Sequence, residues 1–165
     1  MLVDSHCHLD RLDLAQHGGS LDAALDAARL RGVGHFLCIG VSADNAADVK
    51  ALAERYADVD CSVGIHPLDL KPGEAPALDW LLDELDHPRV VAIGETGLDY
   101  HYEPEAADLQ QASFRLHLQA AQQTGKPVIV HTRGARADTL PLLREAALPQ
   151  AGVLHCFTED WDMAK

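Results

Sequence analysis

The 165-residue chain is long enough for about one domain. Its 47% apolar and 24% charged residues are those of a globular fold, which excludes a disordered tail, a collagen-like fibre and a coiled coil. The net charge of −13 argues against non-specific coating of duplex nucleic acid, yet leaves room for a local grip on phosphate through metal ions, because distant carboxylates are screened beyond a Debye length of about 8 Å.

No apolar run approaches the roughly 18 residues of a membrane span. The opening Met1-Leu2-Val3-Asp4-Ser5-His6 lacks both the basic and the long apolar region of a secretory leader, so a cytoplasmic protein without membrane contact is expected. Cys7, Cys38, Cys61 and Cys156 include no C-x-x-C pair and flank apolar segments. Buried free thiols are therefore expected in preference to a disulfide frame or a cysteine-rich zinc site.

In chain order, short β-like runs fall at residues 2–5, 34–39, 61–65, 90–94, 127–130 and 152–154. Helical patterns lie between them at 21–30, 43–55, 77–85, 105–123 and 137–147. Ser20 and Ser42 are candidate N-caps for the first two helices, and Gly125 sits where a C-terminal glycine ends the fourth. In that fourth helix Leu109, Ala112, Leu116 and Ala120 make an apolar stripe. No linker interrupts the series, so one α/β domain over residues 1–165 is expected.

The ends of the strands select the architecture. His6 and His8, His66, Glu95, His131 and His155 each stand where an apolar run stops. Parallel barrels build their sites at those strand ends, whereas a doubly wound sheet uses one switch point and often a glycine-rich phosphate loop, which is absent here. The expectation is a TIM (β/α)8 barrel. Six βα units are two short of closure, so the sequence reads as the N-terminal part of a longer chain with unpaired edges at its first and sixth strands.

His6 and His8 are two apart on a strand and project to one face, leaving Cys7 toward the helices. Two neutral imidazoles side by side are half of a divalent-metal site, although an isolated H-x-H also occurs as two unrelated polar residues of a surface turn. Glu95, bracketed by Gly94 and Gly97, can bridge two cations through separate oxygens. His131 and His155 repeat the theme, and the set nearly supplies two ions about 3.5–4 Å apart. His6, His8 and Glu95 are assigned to one ion, with Glu95 shared, and His131 and His155 to the other. His66 is a phosphate-contacting or catalytic candidate and Arg133 a phosphate clamp. Asp99 and Tyr100 are supporting candidates. Arg11, Lys71 and Arg136 read as solvated charges, and His17, His35, His87, His101 and His117 as ordinary structural or surface histidines.

Asp4-Ser5-His6-Cys7-His8-Leu9-Asp10, Gly64-Ile65-His66-Pro67, Gly94-Glu95-Thr96-Gly97-Leu98-Asp99-Tyr100, Lys126-Pro127-Val128-Ile129-Val130-His131-Thr132-Arg133 and Leu154-His155-Cys156-Phe157 together closely resemble the TatD family of metal-dependent deoxyribonucleases. The resemblance implies two divalent ions, Mg²⁺ by family with Zn²⁺ or Mn²⁺ as options, held by His6, His8, Glu95, His131 and His155. It also implies a monomeric 3′→5′ exonuclease acting on single-stranded DNA or 3′ ends. The family's final-strand metal-binding aspartate, in an E-T-D-S-P-like motif, has no counterpart in this sequence. With so acidic a chain, few phosphates are contacted and a shallow salt dependence is expected. Two alternatives remain open from the residues: a metal-dependent amidohydrolase or esterase, and an inactive metal-binding module. The strand at 90–94 carries no lysine to be carbamylated as a metal bridge, which favours the nuclease.

Overall fold

The computed structural model describes residues 1–73 and 76–165. Six strands, β1 (Leu2–Cys7), β2 (Val33–Ile39), β3 (Val59–Val63), β4 (Val90–Asp99), β5 (Val128–Arg133) and β6 (Val153–His155), form one sheet. Every adjacent pair is parallel and the strands lie side by side in sequence order. Helices α1 (Leu21–Leu30), α2 (Ala46–Arg55), α3 (Leu78–Leu85), α4 (Ala107–Thr124) and α5 (Arg136–Ala146) alternate with them, and a short α6 (Trp161–Ala164) follows β6. The sheet curls along the barrel path: the rings of His6 on β1 and His155 on β6, at opposite ends of the strand order, stack 3.4 Å apart.

The period-2 alternation of strand side chains divides the core. Phe36, Cys38, Val128 and Val130 pack outward against the helices, while Leu37, Ile39, Ala92 and Ile129 gather on the inner face. Cys7, Cys38 and Cys61 align across β1, β2 and β3. Burial pushes the thiols of Cys7 and Cys61 up to about 12, so they are inert apolar spacers at neutral pH. Cys156 departs from the expectation of burial: it is exposed, in the left-handed region at φ 49°, because β6 ends at His155 and the backbone turns away.

Local signals set two of the predicted helix ends. Ser20 Oγ accepts the Ala23 N–H and starts α1, and Gly125 closes α4 at φ 70°. Ser42 does not cap α2. The helix begins at Ala46, because Asn45 Oδ1 accepts the N–H groups of Val41 and Ser42 and organises the preceding turn. The apolar stripe is only part of the buried face of the fourth helix, with Ala120 buried and Leu109 and Leu116 half-buried. Ala112 is exposed, whereas Gln110, Ser113, Phe114, His117 and Leu118 are buried. Hydrogen bonding decides this, since Gln110 satisfies the Asp99 N–H of β4 and His117 the Ile65 N–H just past β3.

β4 runs through Asp99, five residues beyond the apolar segment read from the sequence. Its register with β5 slips between Ile93 and Thr96, which re-aims the strand at Glu95. Two glycines make this possible. A Cβ on Gly94, at φ 132°, would lie 2.5 Å from the Ile129 carbonyl oxygen, and one on Gly97, at φ 137°, would lie 2.0 Å from that of His131. The strand carrying Glu95 and the strand carrying His131 therefore meet backbone to backbone.

Candidate metal centre

At the C-terminal end of the sheet the side chains of five elements converge. Glu95 is almost wholly buried and its backbone N–H donates to the Gly40 carbonyl at 2.7 Å, fixing it toward β2. Its Oε2 lies 3.3 Å from His6 Nε2. Its Oε1 lies 3.4 Å from His131 Nδ1 and 3.9 Å from His66 Nε2. The two oxygens of one carboxylate thus face two different groups of imidazoles. The ligating atoms of His6, Glu95 and His155 fall within 4.8 Å of one another, as do those of His66, Glu95 and His131.

This grouping differs from the one read from spacing. His155 joins His6 rather than His131, because curling of the sheet brings β6 to β1. His8 lies outside both triads, with its ring edge-on to His6 at 5.3 Å, and its Nδ1 is buried without a hydrogen-bond partner. His6 Nε2 is likewise buried without one. Orphaned buried ring nitrogens beside a carboxylate are the donor set that a divalent ion satisfies.

Hydrogen bonds select the tautomers. His131 Nε2 lies 2.9 Å from Asp99 Oδ2, so the ring proton sits there and the Nδ1 lone pair faces Glu95, as in carboxylate–histidine–metal arrangements. His66 behaves oppositely. Its Nδ1 accepts the Leu68 N–H at 3.2 Å, which leaves the neutral ring an Nε2–H pointing toward Glu95. His66 is therefore built as a hydrogen-bond donor in the site, and its own backbone N–H is held by the Val41 carbonyl at 2.7 Å. Burial lowers the His66 pKa to about 4, keeping that ring neutral.

Burial acting alone would raise Glu95, but the contacts with His131 and His6 more than offset it and hold the carboxyl well below the ordinary carboxylate range. Burial and the neighbouring His6 lower His155. Burial opposes protonation of His131 as well, yet Glu95 and Asp99 more than offset it and raise its pKa. The result is an ionised carboxylate among imidazoles that compete for its charge.

Asp99 is fully buried and spends its other oxygen on the N–H groups of His101 and Tyr102, at 3.0 and 2.9 Å. Removing its charge disturbs the His131 tautomer. Asp99→Asn is expected to weaken affinity for Mn²⁺ or Zn²⁺ about 10- to 100-fold by calorimetric titration, the usual loss for a partner of a ligating histidine.

Arg133 lies apart from the triads, its guanidinium 4.7 Å from the centroid of the Tyr102 ring. Tyr100 hydrogen-bonds Asp138 and Gln111 and belongs to the packing of α4 and α5. Arg11 and Lys71 are exposed and Arg136 half-buried, and each also pairs with a carboxylate. Sequence reasoning missed the framework residues. His117 donates from Nδ1 to the Ser113 carbonyl and accepts the Ile65 N–H at 3.0 Å, immediately before His66. Asp10 Oδ2 accepts from Asn45 Nδ2 at 3.1 Å, tying the H-x-H turn to the end of β2. The i, i+3, i+7 spacing of Gln110, Ser113 and His117 was the available signal.

Residues 3–165 match the family model described as TatD related DNase. The chain belongs to that family. It is 45% identical over 165 residues to the Escherichia coli protein named uncharacterized metal-dependent hydrolase YcfH, covering 99% of this chain and 61% of that one. A Bacillus subtilis relative, the uncharacterized metal-dependent hydrolase YabD, is 31% identical over all of this chain and 64% of its own. Among solved structures, the TatD homologue YjjV of E. coli superposes with a TM-score of 0.87 at 32% identity, over 98% of this chain and 62% of that one. The chain thus spans about three-fifths of the length of these family members, and the six-unit barrel arc is the part they share.

Proposed function

We propose that residues 1–165 act as one domain of a divalent-metal-dependent phosphodiesterase that trims DNA from 3′ ends. The single observation carrying this is Glu95, whose Oε2 faces His6 and whose Oε1 faces His131 and His66. A bridging carboxylate between two imidazole groups suits a pair of ions. Bound there, divalent ions would polarise a phosphodiester and lower the pKa of a coordinated water toward about 7.

The chain's own residues supply the rest. His6, His8, His131 and His155 would offer ring nitrogens, with the His131 lone pair aimed by Asp99. His66 would donate its Nε2–H to a phosphate oxygen, since that tautomer is imposed by Leu68. The description of the family as DNases supports DNA as substrate. β4 offers no lysine at its end, which favours phosphodiester over amide or lactone hydrolysis. Buried free thiols at Cys38 and Cys61 fit a reducing cytoplasm, and no described helix is long and apolar enough to cross a membrane. A monomer acting on single-stranded ends completes the proposal.

The test uses the full chain, stripped with chelator and reloaded in turn with Mg²⁺, Mn²⁺ and Zn²⁺. Single strands labelled at the 5′ end should yield a descending ladder, and ladder formation should vanish on chelation and return on reloading. Hydrolysis of amides or lactones with oligonucleotides left intact, or digestion that ignores chelator, refutes it.

A further inference from the structure

We propose that Tyr102 and Arg133 form a stacking platform for a nucleobase at the rim of the candidate metal centre. This rests on the nucleic-acid substrate proposed above. Tyr102 lies just past β4 and is 59% exposed, unusual for so large a ring. The Arg133 guanidinium lies over it at 4.7 Å, and the His101 ring meets it edge-on, also at 4.7 Å.

The position of the ring is held from below. Asp99 Oδ1 accepts the Tyr102 N–H at 2.9 Å, while Oδ2 of the same buried carboxylate holds His131. One side chain therefore sets both a candidate metal ligand and the exposed aromatic. Arg133 is two residues beyond His131 on β5, so the two side chains share a face, about 7 Å apart along the strand.

Charge supports the assignment. In a chain of net charge −13, Arg11, Lys71 and Arg136 are all paired with carboxylates. The Arg133 guanidinium has no ion pair or hydrogen bond among the described residues, and its planar face is taken by the ring. Its N–H edge can donate to a phosphate while the exposed ring receives the neighbouring base. Stacked aromatics and an arginine are the usual means of gripping single strands without reading their sequence. The Tyr102 hydroxyl has no hydrogen bond among the described residues, so the ring face is the functional part.

The experiment compares full-chain wild type, Tyr102→Ala and Tyr102→Phe on a thymidylate oligonucleotide and on bis(p-nitrophenyl) phosphate, a diester with no base. The ratio of kcat/KM for the oligonucleotide to kcat/KM for the small diester should fall about 5-fold or more in Tyr102→Ala, through KM, and stay within about 2-fold of wild type in Tyr102→Phe. An unchanged ratio in Tyr102→Ala, including an equal loss on both substrates, overturns the platform. So does an equal fall of the ratio in Tyr102→Phe. Wild type that cleaves the small diester but no oligonucleotide refutes the nucleic-acid substrate, and the platform with it. Wild type that cleaves neither refutes the phosphodiesterase itself.

Discussion

Glu95→Gln is expected to lower hydrolysis by more than about 100-fold and to remove tight binding at both triads together. A mutated partner of a ligating histidine already costs about 10- to 100-fold. Glu95 contributes directly to both groups of imidazoles. Glutamine keeps the volume and one carbonyl oxygen but supplies an amide N–H₂ in place of the second oxygen, and it cancels the negative charge that draws cations among the surrounding histidines. The change is also asymmetric in a useful way. Whichever oxygen position becomes the amide, one triad faces N–H donors where it had an acceptor. Calorimetry with Mn²⁺ should show both binding events weakened in Glu95→Gln, against one event weakened in His155→Ala. Retention of two undisturbed binding events in Glu95→Gln would sink the bridging role.

His117→Leu carries the largest expected effect on stability. The ring is completely buried and uses both nitrogens, donating to Ser113 and accepting from Ile65. Leucine leaves the buried Ile65 N–H without a partner, whereas the Ser113 carbonyl keeps its bond within α4, so a loss of about 1–3 kcal/mol is expected at pH 7. The pH dependence has a definite sign. Burial lowers the His117 pKa to about 4 from an ordinary 6.5. Above 6.5 the ring is neutral in both states and its contribution is complete. As pH falls below 6.5 the unfolded chain takes up the proton first, and stability drops until the folded pKa near 4 is reached. The gap between wild type and His117→Leu should therefore narrow by about 1 kcal/mol between pH 7 and pH 5.5. Urea unfolding at the two pH values measures it, and a gap that widens on acidification contradicts the burial of a neutral ring.

Much of the site was legible because a strand end is a local event. An apolar run that stops at His66, Glu95, His131 or His155 announces its position without reference to the rest of the chain, and the repetition of that event on five strands identifies the barrel rim. Helix caps were legible where the capping group was adjacent, as at Ser20 and Gly125, and not at Ser42, where Asn45 competed for the same turn. The buried face of α4 was legible only in part. Counting apolar residues favours Leu109 and Ala112, whereas the backbone N–H groups of Asp99 in β4 and Ile65 past β3 needed acceptors, and Gln110 and His117 provide them.

Residue identity and order alone determined the family, the parallel βα succession and which side chains stand at the rim. Only the tertiary structure decided how those side chains are partnered. Curling of the sheet carried His155 to His6, the slip in β4 turned Glu95 between two groups of rings, and Asp99 and Leu68 fixed which ring edge meets Glu95, the Nδ1 lone pair of His131 and the Nε2–H of His66. Strand ends follow from nearest neighbours along the chain, whereas coordination and proton position depend on distances across the barrel that no local pattern encodes.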